Sequence, residues 1–221
     1  LHRSAVREYE LFCGFEKDGS CGYEAVTHIL PLVPASTWRN KVFDMMHKAS
    51  RIIEDSYSPS DRRCGGHITI AVEGFSGDDV RRMVRGNCGI LFALFRKRLT
   101  NSYCGYNKTM LDASASNHVG GWHSKYQVAL VKGNCLEFRL PSRFESVKQM
   151  IRRYELMHEL VDFSVNKPNG SHEAFLKTIR PIIKSMYNGD DAKVEEVFQM
   201  ARHFRKFIIE GRADESIQQY L

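Results

Sequence analysis

From Tyr9 the chain reads "YELFCGFEKDGSCGYEAVTHILPL", two stretches rich in aromatic and β-branched residues on either side of Asp18-Gly19-Ser20. A turn tripeptide between two such stretches predicts a pair of short strands joined as a hairpin. Past Pro34, Ser36 or Thr37 can cap a helix whose apolar positions Val42, Met45, Ala49, Ile52 and Ile53 share one face and which ends before Ser58-Pro59-Ser60. "RCGGHITIAVEGF" predicts a strand opened by two glycines. "SGDDVRRMVRGNCGILFALFRKRL" predicts a helix begun at Ser76, where two acids complement its N-terminus, with Gly86 and Gly89 placed to divide it. "KYQVALVKGNCLEFRLP" predicts a second hairpin turning at Lys132-Gly133-Asn134.

From Ser142 the period becomes helical. Ser142 and Glu145 have capping-box spacing, and Val147, Met150, Ile151, Tyr154, Met157 and Val161 follow at steps of three and four. "VNKPNGS" ends that helix, and two more amphipathic helices are expected near residues 171–187, around Pro181, and 190–210. Residues 100–123 are polar, glycine-containing and aperiodic, and read as a long functional loop. The expected fold class is α+β: a catalytic domain of strands and helices over residues 1–165, then a helical extension over 166–221.

Composition narrows little. A hydrophobic content of 43% is that of a globular protein, and no apolar run is long enough to span a bilayer. No secretory leader is visible at the first residues, and the expected compartment is the cytoplasm. The six cysteines form no Cys-x-x-Cys pair, which argues against a zinc ribbon or a disulfide scaffold. The net charge of +6 suits ATP, an acidic substrate or nucleic acid alike.

Three strands carry an unexpected polar residue: Glu24 in "GYEAVT", His67 in "GGHITI", and Glu137 with Arg139 in "LEFRLP". Residues two apart share a strand face, so Glu137 and Arg139 point one way and Leu136, Phe138 and Leu140 the other. Taken singly, each has a bland reading: a solvated sheet face with a short-range ion pair, or a structural histidine.

In order along the chain, Asp18-Gly19-Ser20, Gly22-Tyr23-Glu24-Ala25-Val26-Thr27, Cys64-Gly65-Gly66-His67-Ile68-Thr69-Ile70 and Leu136-Glu137-Phe138-Arg139-Leu140-Pro141 before a long helix resemble the amidoligase family. This is a branch of the glutamine synthetase-like carboxylate-amine ligases, and the resemblance covers about residues 15–165. It implies a curved, mostly antiparallel sheet of the glutamine synthetase catalytic type, packed with helices, whose concave face takes ATP and Mg²⁺ or Mn²⁺. A carboxylate would be phosphorylated and then attacked by an amine, the substrates being small molecules or peptides. On this resemblance Glu24, Glu137 and His67 are metal ligands, His67 also standing near the ATP phosphates. Arg139 and Lys125 are the catalytic, phosphate-contacting cations. The loop 100–123 would supply a lid or substrate contacts through Tyr103, Asn107, Lys108, His118 and Trp122.

The chain departs from the family's pattern in three places. A Glu-x-Glu pair ahead of the Asp-Gly-Ser turn is not evident, His67-Ile68-Thr69 stands where relatives have His-x-His, and Lys125 replaces an arginine. These changes raise a second expectation, an inactive ligase-like domain that binds nucleic acid or a protein partner.

Overall fold

A computed structural model of the chain describes residues 9–18, 22–33, 37–55, 65–99, 128–210 and 220. It divides into two compact units, Leu1–Cys64 with Phe144–His158, and Gly65–Arg143 with Glu159–Leu221. The expected loop 100–123, with Lys125 just past it, lies outside the described residues.

In the first unit strands β1 (Phe12–Asp18) and β2 (Gly22–Thr27) form the expected antiparallel hairpin, in a register that sets Phe15 against Ala25 and Glu16 against Glu24. The register shifts between Phe12 and Gly14, and the Cys13 thiol there reaches the carbonyl oxygen of Thr27 at 3.3 Å. Helices α1 (Thr37–Lys48) and α2 (Ser50–Asp55) follow. Leu11, Phe12, Val42, Met46, Ala49 and Ile53 form this unit's core with Val147, Met150 and Tyr154 from the long helix α5 (Val147–Asn166). The Tyr154 hydroxyl donates to the Pro31 carbonyl and accepts from the Val33 amide, which fixes the segment leaving the hairpin.

The expected capping box at Ser142 is displaced. The helix begins at Val147, and the Ser146 hydroxyl accepts from the Gln149 amide at 3.2 Å, while Ser142 instead forms an isolated β-bridge with Gly65. Glu54 of α2 adds a carboxylate acceptor for the Val147 amide at 3.2 Å, where a negative charge suits the helix N-terminus.

In the second unit β3 (Ile68–Ala71), β4 (Ala129–Lys132) and β5 (Cys135–Phe138) form an antiparallel sheet in the order β3-β5-β4, so β5 is central. Helix α3 (Gly77–Val84) starts with a complete capping box, Ser76 Oγ accepting from the Asp79 amide and the Asp79 carboxylate from the Ser76 amide. Its first residue must be glycine for packing: a Cβ on Gly77 would lie 2.3 Å from the Cys135 carbonyl oxygen. The sequence after α3 divides as its glycines predict, into a 3₁₀ turn (Arg85–Asn87), the buried helix α4 (Gly89–Leu94) and a second 3₁₀ turn (Arg96–Arg98). Helices α6 (His172–Met186) and α7 (Asp191–Glu210) complete the unit, α6 running through Pro181 and α7 packing along α4.

The outcome is a mixed α+β protein, mainly helical with small antiparallel sheets. No helix of the described residues is long and apolar enough to cross a membrane.

Candidate functional site

The centre of the three-stranded sheet shows why "LEFRLP" alternates. Leu136, Phe138 and Leu140 are 0%, 1% and 0% exposed. They share a face with the β3 residues Ile68 and Ile70, which oppose Phe138 and Leu136 in the ladder. The other face carries Glu137, opposite Thr69 of β3 and Leu130 of β4. Glu137 itself is only 6% exposed, although Thr69 and Lys132 on the same face reach solvent. A carboxylate so buried needs compensating charge and hydrogen bonds. It has both, from Lys132 on Oε2 and Arg139 on Oε1. Burial pulls the Glu137 carboxyl upward, but the Lys132 and Arg139 contacts outweigh it and hold the group below the usual carboxylate range.

Past β5 the pairing continues loosely. The Arg139 amide donates to the Val128 carbonyl at 2.8 Å, the Gly66 amide to the Pro141 carbonyl at 2.9 Å, and Gly65 bridges Ser142. These contacts hold the segment before β3 alongside the segment after β5, bringing His67 next to Arg139. Burial, and then the charge of Arg139, push the His67 imidazole below its ordinary range, so it is neutral at pH 7.

A further cation joins them. Arg98, in the second 3₁₀ turn, is 9% exposed, and its Nε donates to the Leu140 carbonyl at 2.9 Å. Its Nη2 and the His67 Nε2 stand 3.0 and 3.4 Å from one point, the place a Cβ on Gly65 would take. Gly65 therefore leaves room for a guanidinium beside an imidazole. The cluster comprises one buried carboxylate, one neutral imidazole and the cations Lys132, Arg139 and Arg98.

Of the residues expected from sequence, the fold brings together His67, Glu137 and Arg139. Lys125 lies outside the described residues. Glu24 belongs to the first unit, partly buried on β2 directly across from Glu16, so that two carboxylates share one face of the hairpin. Like charges directly opposed across strands repel. Sequence reading missed Lys132 and Arg98. Lys132 had a signal, since it opposes Cys135 across the turn and so lies diagonal to Glu137 on the same face. Arg98 had none, because its contacts are with residues more than thirty positions away.

The donor sets fit the parts of a metal-nucleotide ligand unequally. The Arg139 Nε is buried without a hydrogen-bond partner among the described residues. An orphaned guanidinium N–H beside other cations fits a phosphate or carboxylate oxygen. Glu137, held by two cations, fits a metal less well, and no group of three or more His, Cys, Asp or Glu among the described residues could hold one. Glu24 stands directly across from Glu16, and carboxylates are what a hard divalent cation takes. No protein-family model, no curated protein and no solved structure matches the chain.

Proposed function

We propose that the chain is an ATP-dependent carboxylate-amine ligase of the amidoligase type, its three-stranded sheet being part of a glutamine synthetase-like catalytic sheet. The observation that carries this reading is the β5 cluster, where the orphaned Arg139 Nε stands beside a neutral imidazole and two further cations. Transfer of a phosphoryl group to a carboxylate depends on positioning and charge neutralisation, which these groups supply.

In this reading a substrate carboxylate oxygen attacks the γ-phosphorus of ATP, the bond to the bridging oxygen breaks, and ADP departs. An amine then attacks the acyl phosphate carbon, phosphate leaves with the bonding pair, and the nitrogen loses a proton. Arg139 and Arg98 bind the anionic oxygens, and Glu137 fixes Arg139 in place. His67, held neutral, is equipped to take the amine proton. Glu24 and Glu16 are the carboxylates that would hold a divalent ion.

Hydroxylamine traps acyl phosphates as hydroxamates, so it tests the reading without knowledge of the amine. Incubated with ATP, Mg²⁺ and a mixture of amino acids, dicarboxylates and acidic peptides, the chain should form hydroxamate and ADP. Glu137→Gln and Arg139→Lys should each lower the rate by about 100-fold or more, the scale of losing one preorganised charge contact. Unchanged rates in both variants overturn the assignment.

A second reading is favoured by the positive balance of the cluster, in which two cations engage the one buried carboxylate. It is a ligase-like module that binds anions without turning them over. Calorimetric ATP binding with no hydroxamate and no ADP would select it.

A further inference from the structure

The second unit has a cavity of about 350 Å³ beside the 3₁₀ turn that carries Arg98. Small-ligand pockets begin near this size. Its lining is unusual in charge. Arg96, Lys97 and Arg98 enter from the turn and Lys193 from α7, against one carboxylate, Glu196. Glu196 is occupied by Lys193 at 2.6 Å.

Arg96 and Lys97 have no carboxylate partner among the described residues. Arg96 reaches only the thioether sulfur of Met200, at 3.5 Å, a weak acceptor. Lys97 is exposed and pairs with no carboxylate among the described residues. Arg98 spends its Nε on a main-chain carbonyl. Like charges gathered in a concave, partly desolvated site repel one another, and a multiply charged anion between them turns that repulsion into attraction.

We infer that this pocket binds a compact polyanion with closely spaced anionic oxygens, either a phosphate chain or clustered carboxylates. Arg96 and Lys97 are its principal contacts, and Glu196 opposes binding. The inference is independent of the ligase reading, because the only residue the two sites share is Arg98. If both hold, the turn 96–98 places the polyanion next to the β5 cluster.

The test is calorimetry on the full chain in low salt without divalent metal, with tripolyphosphate in one arm and tricarballylate in the other. One of the two should bind, more weakly as salt rises. Arg96→Gln with Lys97→Gln should weaken it at least 10-fold, and Glu196→Gln should tighten it about 2- to 5-fold. Glu137→Gln should change it less than 2-fold. The tighter-binding arm identifies phosphate or carboxylate as the ligand chemistry. Because Lys97 is exposed, Lys97→Glu alone keeps the fold and should also weaken binding, so a misfolded double variant does not protect the inference. No binding in either arm at millimolar ligand overturns it. So does binding that Glu137→Gln abolishes and Lys97→Glu leaves intact, a pattern that would place the anion at the β5 cluster and uphold the ligase site alone.

Discussion

Glu24 on β2 and Glu137 on β5 both stand inside the second strand of a hairpin, and their surroundings are opposite. Glu24 lies in a two-stranded sheet, partly buried, with Glu16 directly across. Glu137 lies on the central strand of three, 6% exposed, between Lys132 and Arg139. A central strand has neighbours on both edges, and a carboxylate covered by them persists only with cations in contact. A two-stranded ribbon leaves a face open, and water tolerates two facing acids at modest cost. The same residue in the same local pattern is thus held between two cations in one unit and set against a second carboxylate in the other.

The strongest way to break this contrast is truncation. Glu137→Ala leaves the largely buried Arg139 without its counter-charge, while the half-exposed Lys132 can turn to water, and should destabilise the fold by about 2–3 kcal/mol, below the range for a fully buried pair. Glu24→Ala should cost about 1 kcal/mol or less, the scale of a partly exposed position outside the core. Urea unfolding of both variants measures the difference, and equal losses would mean that burial does not separate the two glutamates.

A smaller effect comes from backbone packing. A Cβ at position 77 would meet the main chain of both Cys135 and Gly133, whereas one at Gly14 in the first hairpin would meet nothing within 4 Å. Gly77→Ala should therefore cost about 1–3 kcal/mol, as overpacking does. It should also disturb β5 enough to lower hydroxamate formation. Gly14→Ala should be close to neutral in both measurements.

Much of this architecture is legible in the chain. Both hairpins announce themselves through turn residues between β-branched stretches, and the long helix through the period of Val147, Met150, Tyr154 and Met157. The strand alternation around Glu137 correctly separates an apolar face from a charged one. What the alternation does not contain is depth. How deeply a strand residue is covered depends on a third strand, which arrives from a distant position. The helix start shows a similar limit, since Ser142-x-x-Glu145 and Ser146-x-x-Gln149 both have capping-box spacing, and the β-bridge to Gly65 claims Ser142. The opposition of Glu16 to Glu24 depends on register, which is set where Asp18, a turn residue by its sequence, instead pairs with Gly22 as the last residue of the strand.

The pH dependence of stability should come from the second unit. His172, at the start of α6, meets the Asn87 side chain through Nδ1 at 3.1 Å, and Asn87 in turn donates to Ser164 at 3.2 Å. Burial, then the charge of Arg205, lower its pKa from the ordinary 6.5 to about 4. The unfolded chain therefore takes up a proton near pH 6.5 that the fold refuses until about 4. Stability is full above pH 6.5 and declines as pH falls through that window. Discounted for the ring's partial exposure, the loss is about 1–2 kcal/mol. Urea midpoints at pH 7, 5.5 and 4 should fall in that order, and His172→Gln should flatten the slope. An unchanged slope in that variant would assign the acid sensitivity elsewhere.

The smallest effect has the most telling sign. If Glu16 and Glu24 repel across β1 and β2, then Glu16→Gln in metal-free, low-salt buffer should stabilise the chain by about 0.2–1 kcal/mol, the range for a cross-strand pair. With Mg²⁺ the order should reverse. An ion that binds the folded hairpin stabilises it by mass action, about 1.4 kcal/mol at ten times its dissociation constant, and the variant forfeits most of that gain. Thermal midpoints of both proteins with and without Mg²⁺ give the four numbers required. A crossing means that the opposed carboxylates are held in readiness for a cation. A variant more stable in both buffers makes the pair simply a repulsion the fold tolerates. A variant less stable without metal means that Glu16 and Glu24 do not repel, and the contrast with Glu137 then rests on burial alone.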